Sequence, residues 1–488
     1  MRRMALLAGL AGAAVLAMPV AARDPDRASG GGTAQDRLDR DTQRAAARAD
    51  ELTARYAAER SRIEQRAAQD PDKAAGDLAK LDADLSREKT KLAEDQAKDQ
   101  ADFTERSAKE AEAAAKRLTE QGDDSSSDRA EMRETGSSEQ IRDLGEAEGA
   151  EHDERGFPVR RGEVVGIDLS SATLARAKDA GFGLIEQRAI TTLESSVTRL
   201  RVPAGLSATE ARDRLRAIDP TATVDVVHYY GLNLTAGGRG HRIAHKGSPT
   251  GAPSMPGLVM GMIDTGVAAH AALRGVRVVA WPAGRLPAAP VDHGTAVASL
   301  LQSEGASTIY SANIFRGTAE RPFTSADVIA DALEWMVANR LATINMSLAG
   351  PRNAILDRLI QAATARGIQV IAAAGNGGPA APPAYPAAVP GVIAVTAVDH
   401  EGRIYRYANH GSYIAVAARG VDVVAAHAEG GFATFAGTSF ATPHVTGWIS
   451  RCRLSGKEAR ECTQNLRRSA RDLGPTGFDP TYGYGLID

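Results

Sequence analysis

The spacing of hydrophobic positions changes repeatedly along this chain, and each change predicts a different kind of element. Met1 to Ala22 places Arg2 and Arg3 before a run of about sixteen apolar residues and closes on Val20-Ala21-Ala22, the pattern of a secretory signal. The run is short for a membrane span, so removal of the segment is expected, with an uncleaved N-terminal anchor as the alternative. From about Ala34 to Gln121 the apolar positions thin out. Leu38, Ala45, Leu52, Tyr56 and Ile63 fall on a seven-residue pattern, as do Leu78, Leu81, Leu85 and Leu92. Asp70-Pro71 between them reads as a helix cap and a first-turn proline, so the spacing predicts a helical hairpin or coiled coil.

Residues 122–156, with clusters of Asp, Ser, Glu and Gly, read as a flexible acidic linker. The pattern then turns to α/β over residues 157–234. GEVVGIDL predicts a strand, SATLARAKDAGF a Ser-capped helix, GLIEQRAITTL and VTRLRVP two strands, SATEARDRLRAID a second capped helix, and ATVDVVHYY a last strand. That order, β-α-β-β-α-β, is the split βαβ or ferredoxin-like unit. A Gly-rich basic stretch, residues 235–256, follows as a linker. Residues 257–488 predict an α/β domain with a mostly parallel sheet and helices on both faces, large enough for a full core.

Composition narrows the picture without redirecting it. With 488 residues and a formal net charge of −3, nothing points to nucleic acid or to an acidic membrane surface as a partner. The predicted helical arm has only Tyr56 and Phe103 as aromatics, too little apolar bulk for a core of its own. It is either a solvated spacer or an arm for self-association or a protein partner. The two cysteines, Cys452 and Cys462, would close a small loop in an oxidising compartment, worth up to about 3 kcal/mol. Free thiols are the alternative, and no nearby Cys or His completes a metal site.

Candidate chemistry gathers in the C-terminal half. In Gly-Thr-Ser-Phe-Ala-Thr-Pro-His-Val, Gly437 to Val445, Ser439 stands at a turn that opens a helix, where the helix dipole favours negative charge. A serine hydroxyl is a weak nucleophile at neutral pH and needs a base and a carboxylate to orient that base. GLVMGMIDTG is an apolar strand that stops at Asp264, placing a carboxylate at a strand's C-terminal end. VDHGTAVASLL places His293 at a helix start.

These three segments, in the order Asp, His, Ser, resemble the subtilisin-like serine peptidases, the subtilases. The resemblance implies a catalytic triad of Asp264, His293 and Ser439, and an oxyanion donor at Asn376 in GIQVIAAAGNGGP. It further implies a substrate pocket walled by Ser347, Leu348 and Ala349 on one side and by Ala373, Ala374 and Gly375 on the other, able to pair with an extended peptide. Residues 157–234 look like the family's propeptide, an intramolecular inhibitor whose tail lies in the active site, with self-cleavage near or after Tyr230. Ala296 stands where a second histidine is common, and Phe440 where methionine is common, but neither change removes a catalytic group. His270 and His444 look like packing histidines of the family. No cofactor is expected; calcium is possible by resemblance, but no run of ligands with calcium-loop spacing identifies a site.

The expected function is thus an exported serine endopeptidase, periplasmic or extracellular, made as a self-processing zymogen that cuts proteins or peptides. The alternative is a regulatory or scaffolding protein whose arm binds a partner and whose peptidase domain cuts itself or one target. The Gly483 to Asp488 ending resembles the end of the family's catalytic domain, so no further C-terminal domain is expected.

Overall fold

The computed structural model of the protein describes residues 149–232, 241–243, 254–282, 292–317 and 322–488, with scattered helical positions between 55 and 91. The expected signal segment, most of the helical arm and most of the acidic linker lie outside the described residues. Within the arm, Tyr56 and Ile63 are buried, and Arg55 makes a paired contact with both carboxylate oxygens of Glu88 at 2.9 and 2.8 Å.

The first continuous stretch is a small α/β module. It comprises β1 (Glu151–His152), β2 (Pro158–Ile167), α1 (Ser171–Asp179), β3 (Gly183–Ile190), β4 (Ser195–Arg201), α2 (Ala208–Ile218) and β5 (Thr223–Leu232). The strands are antiparallel in the order β5-β2-β4-β3. Both helices start on serine caps. Ser170 accepts from the Thr173 N–H, and Ser207 forms a reciprocal capping box with Glu210. Alternation along the strands divides their side chains between two faces. Val164, Leu200 and Val224 pack with Ala177, Ala211 and Leu215 of the two helices, whereas Val165, Ile167, Val197 and Val227 join the core of the larger domain.

That larger domain contains β6 (His241–Ile243), β7 (Val259–Asp264), β8 (Arg277–Ala280), α3 (Asp292–Ser303), β9 (Thr308–Asn313), β10 (Arg316–Gly317), β11 (Pro322–Ser325) and α4 (Ala326–Ala338). It continues with β12 (Thr343–Met346), β13 (Leu348–Ala349), α5 (Ala354–Ala365), β14 (Gln369–Ala373), β15 (Ile393–Val398), β16 (Ile414–Arg419), β17 (Val423–Ala426), β18 (Phe432–Phe435), α6 (Thr438–Leu454) and α7 (Ala459–Ser469). Seven strands in the order β16-β15-β14-β12-β7-β9-β8 form a parallel sheet. Helices α4 and α5 cover one face, and α3, α6 and α7 the other, so central strands such as β12 and β14 are buried throughout, including the polar Thr343, Asn345 and Gln369. A disulfide joins Cys452, near the end of α6, to Cys462 in α7.

Two segments that composition marks as linker carry structure. Glu151 and His152 pair with β2, and the buried Asp153 accepts from the Phe157 and Arg155 N–H groups. Residues His241–Ile243 add a third strand to the β17-β18 ribbon. Neither is legible locally, because short edge strands are defined by their partners and not by their own alternation.

Strand β5 crosses from the module into the larger domain. Its first half pairs with β2, and its end runs antiparallel to two strands of the larger domain. Phe323, Thr324 and Ser325 of β11 oppose Gly231, Tyr230 and Tyr229, while Leu348 and Ala349 of β13 oppose Leu232 and Gly231. Ion pairs flank this crossing. Asp327 at the start of α4 receives Arg160 at 2.8 Å and Arg199 at 2.9 Å. Burial would raise its carboxyl, but the charge and hydrogen bonds of Arg160, with Ser325 and Arg199, hold it well below the usual carboxylate range. On the other flank Asn353, the cap of α5, donates to Val226 O and to His228 Nδ1, and His228 Nε2 meets Asp153 at 3.2 Å. With both ring nitrogens engaged, this second buried Asp–His pair fastens the module to α5 and has no nitrogen left to act as a base.

Candidate active site

The parallel sheet brings the sequence-predicted residues to the C-terminal ends of its strands. Asp264 ends β7, Ser347 follows β12, Ala373 ends β14, and Asn376 lies three residues beyond. His293 and Ser439 sit in the first turns of α3 and α6, on the same side of the sheet. Asp264 is fully buried, and its Oδ1 accepts from His293 Nδ1 at 2.7 Å and from the Thr265 N–H at 2.6 Å. Thr265 Oγ1 accepts the Gly294 N–H at 2.8 Å, which ties the strand end to the start of α3. With Nδ1 donating to the carboxylate, Nε2 is left as the basic nitrogen.

Helix α6 opens on Gly437, whose φ of 145° is a conformation L side chains rarely adopt. Ser439, next but one, therefore stands in the first turn, where backbone N–H groups lack intrahelical acceptors and the dipole favours an anion. Pro443 inside the helix has a further effect. It has no N–H to return to the Ser439 carbonyl four residues earlier, and that carbonyl instead accepts from Ser347 Oγ at 3.1 Å. Asn345 Nδ2 donates to Ser347 Oγ in turn. The local motif around Ser439 gives no hint of this contact, because its partner lies in another strand.

The Phe440 ring packs against His293 with centroids 5.2 Å apart and against Phe435 at 4.9 Å. Among the described residues, no hydrogen bond joins His293 Nε2 to Ser439 Oγ, and both atoms are buried without a partner. Catalytic contacts of this kind often tighten only when substrate is bound.

Asn376 is oriented by its oxygen. Oδ1 accepts from the Thr438 N–H at 3.1 Å and from Thr438 Oγ1 at 3.0 Å, so the oxygen end of the amide faces the helix start. The expected pocket walls stand on either side. Leu348 and Ala349 are held by β5, while Ala374 O accepts from the Tyr413 hydroxyl at 2.7 Å and Gly375 N donates to Thr438 Oγ1 at 3.3 Å. Next to the first wall lies Tyr230. Its ring occupies the space a Cβ at Gly350 would need, 2.3 Å from the nearest ring atom, and its hydroxyl donates to Pro351 O at 2.8 Å. Only glycine at 350 permits that contact.

A charged clamp links the helices that carry His293 and Ser439. Glu304, just past α3, meets His444 Nδ1 at 2.7 Å and Arg451 Nη1 at 2.7 Å, both on α6. His444, expected to pack, has a carboxylate partner that is remote in sequence. Burial would raise the Glu304 carboxyl, but the hydrogen bonds and charges of His444 and Arg451 hold it below the usual range. Its contribution to stability is therefore complete above the ordinary Glu range near pH 4.3 and disappears as pH falls through the depressed folded value. Glu304→Ala should lower unfolding free energy by about 2 kcal/mol at neutral pH. The difference from wild type should shrink towards acid, as denaturant titrations at several pH values will show. His270, also expected to be structural, caps a short turn and contacts Gly431 O at 2.8 Å.

Comparison with known proteins bears on the family of the chain. The model of the subtilase family of peptidases matches residues 256–485. Subtilisin DY of Bacillus licheniformis is 31% identical over 247 residues, 47% of this chain and 88% of that protein. Subtilisin BL of Lederbergia lenta is 29% identical over 263 residues, 50% of this chain and 92% of its own length. The minor extracellular protease Epr of Bacillus subtilis is 32% identical over 164 residues, a match that spans 33% of this chain and only 25% of Epr. Fervidolysin from Fervidobacterium pennivorans, described as a keratinolytic enzyme related to subtilisin, shares the fold with a TM-score of 0.54 at 19% identity, over 67% of this chain and 60% of its own. The parallel sheet, the Asp–His pair at its carboxyl edge and the serine that opens α6 are thus found in a chain whose C-terminal half aligns along nearly the whole of two subtilisins, and the chain belongs to the subtilase family of serine endopeptidases.

Proposed function

We propose that Asp264, His293 and Ser439 hydrolyse peptide bonds through an acyl-enzyme, and that the chain is exported as a zymogen inhibited by its own residues 157–234. In this reading His293 Nε2 takes the Ser439 proton as Oγ attacks the scissile carbonyl. Asp264 holds the Nδ1–H tautomer and stabilises the imidazolium that forms. The oxyanion is met by Asn376 Nδ2 and by the Ser439 N–H. His293 then gives its proton to the leaving amine, and water repeats the sequence on the acyl-enzyme to release the second product.

The observation that carries the zymogen reading is the course of β5. Pairing with a strand on each side is how an extended peptide adds to a sheet. Leu232 opposes Leu348, the residue after Ser347, whose hydroxyl bonds the Ser439 carbonyl. The ferredoxin-like module thus acts as propeptide, its last strand lies in the cleft as a substrate would, and self-cleavage falls just past Leu232. Tyr230 against Gly350 and Pro351 marks a subsite that favours an aromatic side chain in protein substrates. Export to the periplasm or the medium follows from the N-terminal signal pattern and agrees with the disulfide. The contact of Arg55 with Glu88 supports the reading of the arm at 34–121 as a helical hairpin or coiled coil.

Intact-mass analysis of the exported wild type and of Ser439→Ala tests this reading. The wild type should appear as two fragments divided just beyond Leu232, and the variant as one unbroken chain. Identical masses for the two proteins would contradict it.

A further inference from the structure

One polar side chain beside the triad has no task in the mechanism above. Asp264 ends β7 and Asn313 ends β9, and the parallel register pairs them directly. Paired residues on neighbouring strands, about 4.8 Å apart, present their side chains to the same face of the sheet. That face carries α3. Met260 and Met262 of β7 and Ile309 of β9 share one apolar cluster with Ala296, Val297, Leu300 and Leu301 of α3, and steps of two from them lead to Asp264 and to Asn313.

Both residues have an oxygen left over. Asp264 Oδ1 is engaged by His293 and by the Thr265 N–H, but Oδ2 is buried with no partner among the described residues. Asn313 Oδ1 is likewise buried with no partner among them. Two buried acceptors side by side, one of them a carboxylate oxygen, are unfavourable, since each is left without the hydrogen bond it had in water. The amide offers a remedy. Its oxygen and nitrogen ends have nearly the same shape, so a half-turn about the last side-chain bond puts Nδ2 where Oδ1 stands, without a steric penalty.

We propose that Asn313 is a positioning residue of the triad, donating from Nδ2 to Asp264 Oδ2 so that the carboxylate is held at both oxygens while it orients His293. The proposal rests on the reading of Asp264 as the orienting carboxylate. A carboxylate fixed at Oδ1 alone can pivot about its terminal bond and carry the imidazole with it. Fixed at both oxygens by charge-assisted hydrogen bonds, it keeps Nε2 aimed at Ser439. Nothing in the Ala312-Asn313-Ile314 sequence marks this role; the strand register alone brings the amide to the triad.

The test compares wild type with Asn313→Leu, Asn313→Asp and Asn313→Ser, and with Ser439→Ala as the inactive reference. It measures kcat, KM, the pH profile of kcat/KM on a peptide anilide, and the melting temperature. Asn313→Leu should lower kcat about 10- to 100-fold with KM changed by less than about twofold, the signature of a displaced catalytic group. Asn313→Asp keeps the shape but sets a second carboxylate beside the first. The doubled charge holds a proton more tightly, so the acid limb of the profile should move to higher pH. Asn313→Ser, a shorter donor, should recover part of the rate lost in the leucine variant. Leucine and aspartate variants with wild-type kcat and an unmoved acid limb would overturn the proposal, even if their melting temperatures fall. A wild type no more active than Ser439→Ala would instead overturn the triad reading itself, a separate and recognisable result.

Discussion

Ser439→Ala and His293→Ala should each lower turnover by about 10⁶, a magnitude taken from the homologous triad of subtilisin and not calculated from this geometry. The geometry explains why the two losses should match. Ser439 Oγ is reactive only when His293 Nε2 can take its proton, and Nε2 is the nitrogen left free to do so because Nδ1 donates to Asp264 at 2.7 Å. Removing either partner leaves the other without a function, so the double variant should be no worse than the single ones. Ser439→Ala should leave folding intact, since Oγ makes no hydrogen bond among the described residues, whereas His293→Ala also removes the Nδ1 donor of the buried Asp264 and should lower the melting temperature. Rates on a peptide anilide, corrected for contaminating protease, together with melting temperatures, check both statements.

The second large effect is at Asn376, and two substitutions separate its roles. Its oxygen already serves Thr438 N and Thr438 Oγ1, so any loss of the side chain also loosens the first turn of α6. Asn376→Leu should cost about 10²–10³ in kcat, again a magnitude known from subtilisin, with a modest drop in melting temperature. Asn376→Asp keeps an acceptor for Thr438 but places a negative charge where the oxyanion forms. Its melting temperature should stay nearer wild type, while its kcat should fall at least as far as that of the leucine variant. If Asn376→Asp retained more activity than Asn376→Leu, the side chain would be acting through Thr438 and not on the oxyanion.

Asp264, His293 and Ser439 could be picked out as candidates from the sequence because each sits in a short segment whose local pattern states its own position. Asp264 ends an apolar run, His293 opens a helical one, and Gly437 announces the turn before Ser439. What escaped notice depends on pairing between distant segments. The Ser347 hydroxyl on the Ser439 carbonyl follows from Pro443, but its partner is set by the sheet. The Glu304 clamp joins residues 140 and 147 positions apart, and Asn313 meets Asp264 only through strand register. The same distinction holds for the fold. The alternation of β2 to β5 and the caps Ser170 and Ser207 could be read directly, whereas β1 and β6 are strands only because β2 and β18 offer them an edge. The resemblance predicts that the tail of the module lies in the active site, and the pairing of β5 with β11 and β13 supports that proposal. The register of that pairing, which decides where the chain would be cut, is not legible in the sequence.

The central claim is that Ser439 is the nucleophile activated by His293 and Asp264. The most direct measurement is to treat the processed protein with a serine-reactive phosphonate and locate the adduct by peptide mass spectrometry, with His293→Ala, first cut just beyond Leu232 by added wild type, treated in parallel. A single adduct on Ser439, absent from the His293→Ala protein, is the predicted result. An unlabelled wild type, an adduct on another serine, or equal labelling of the two proteins would contradict it.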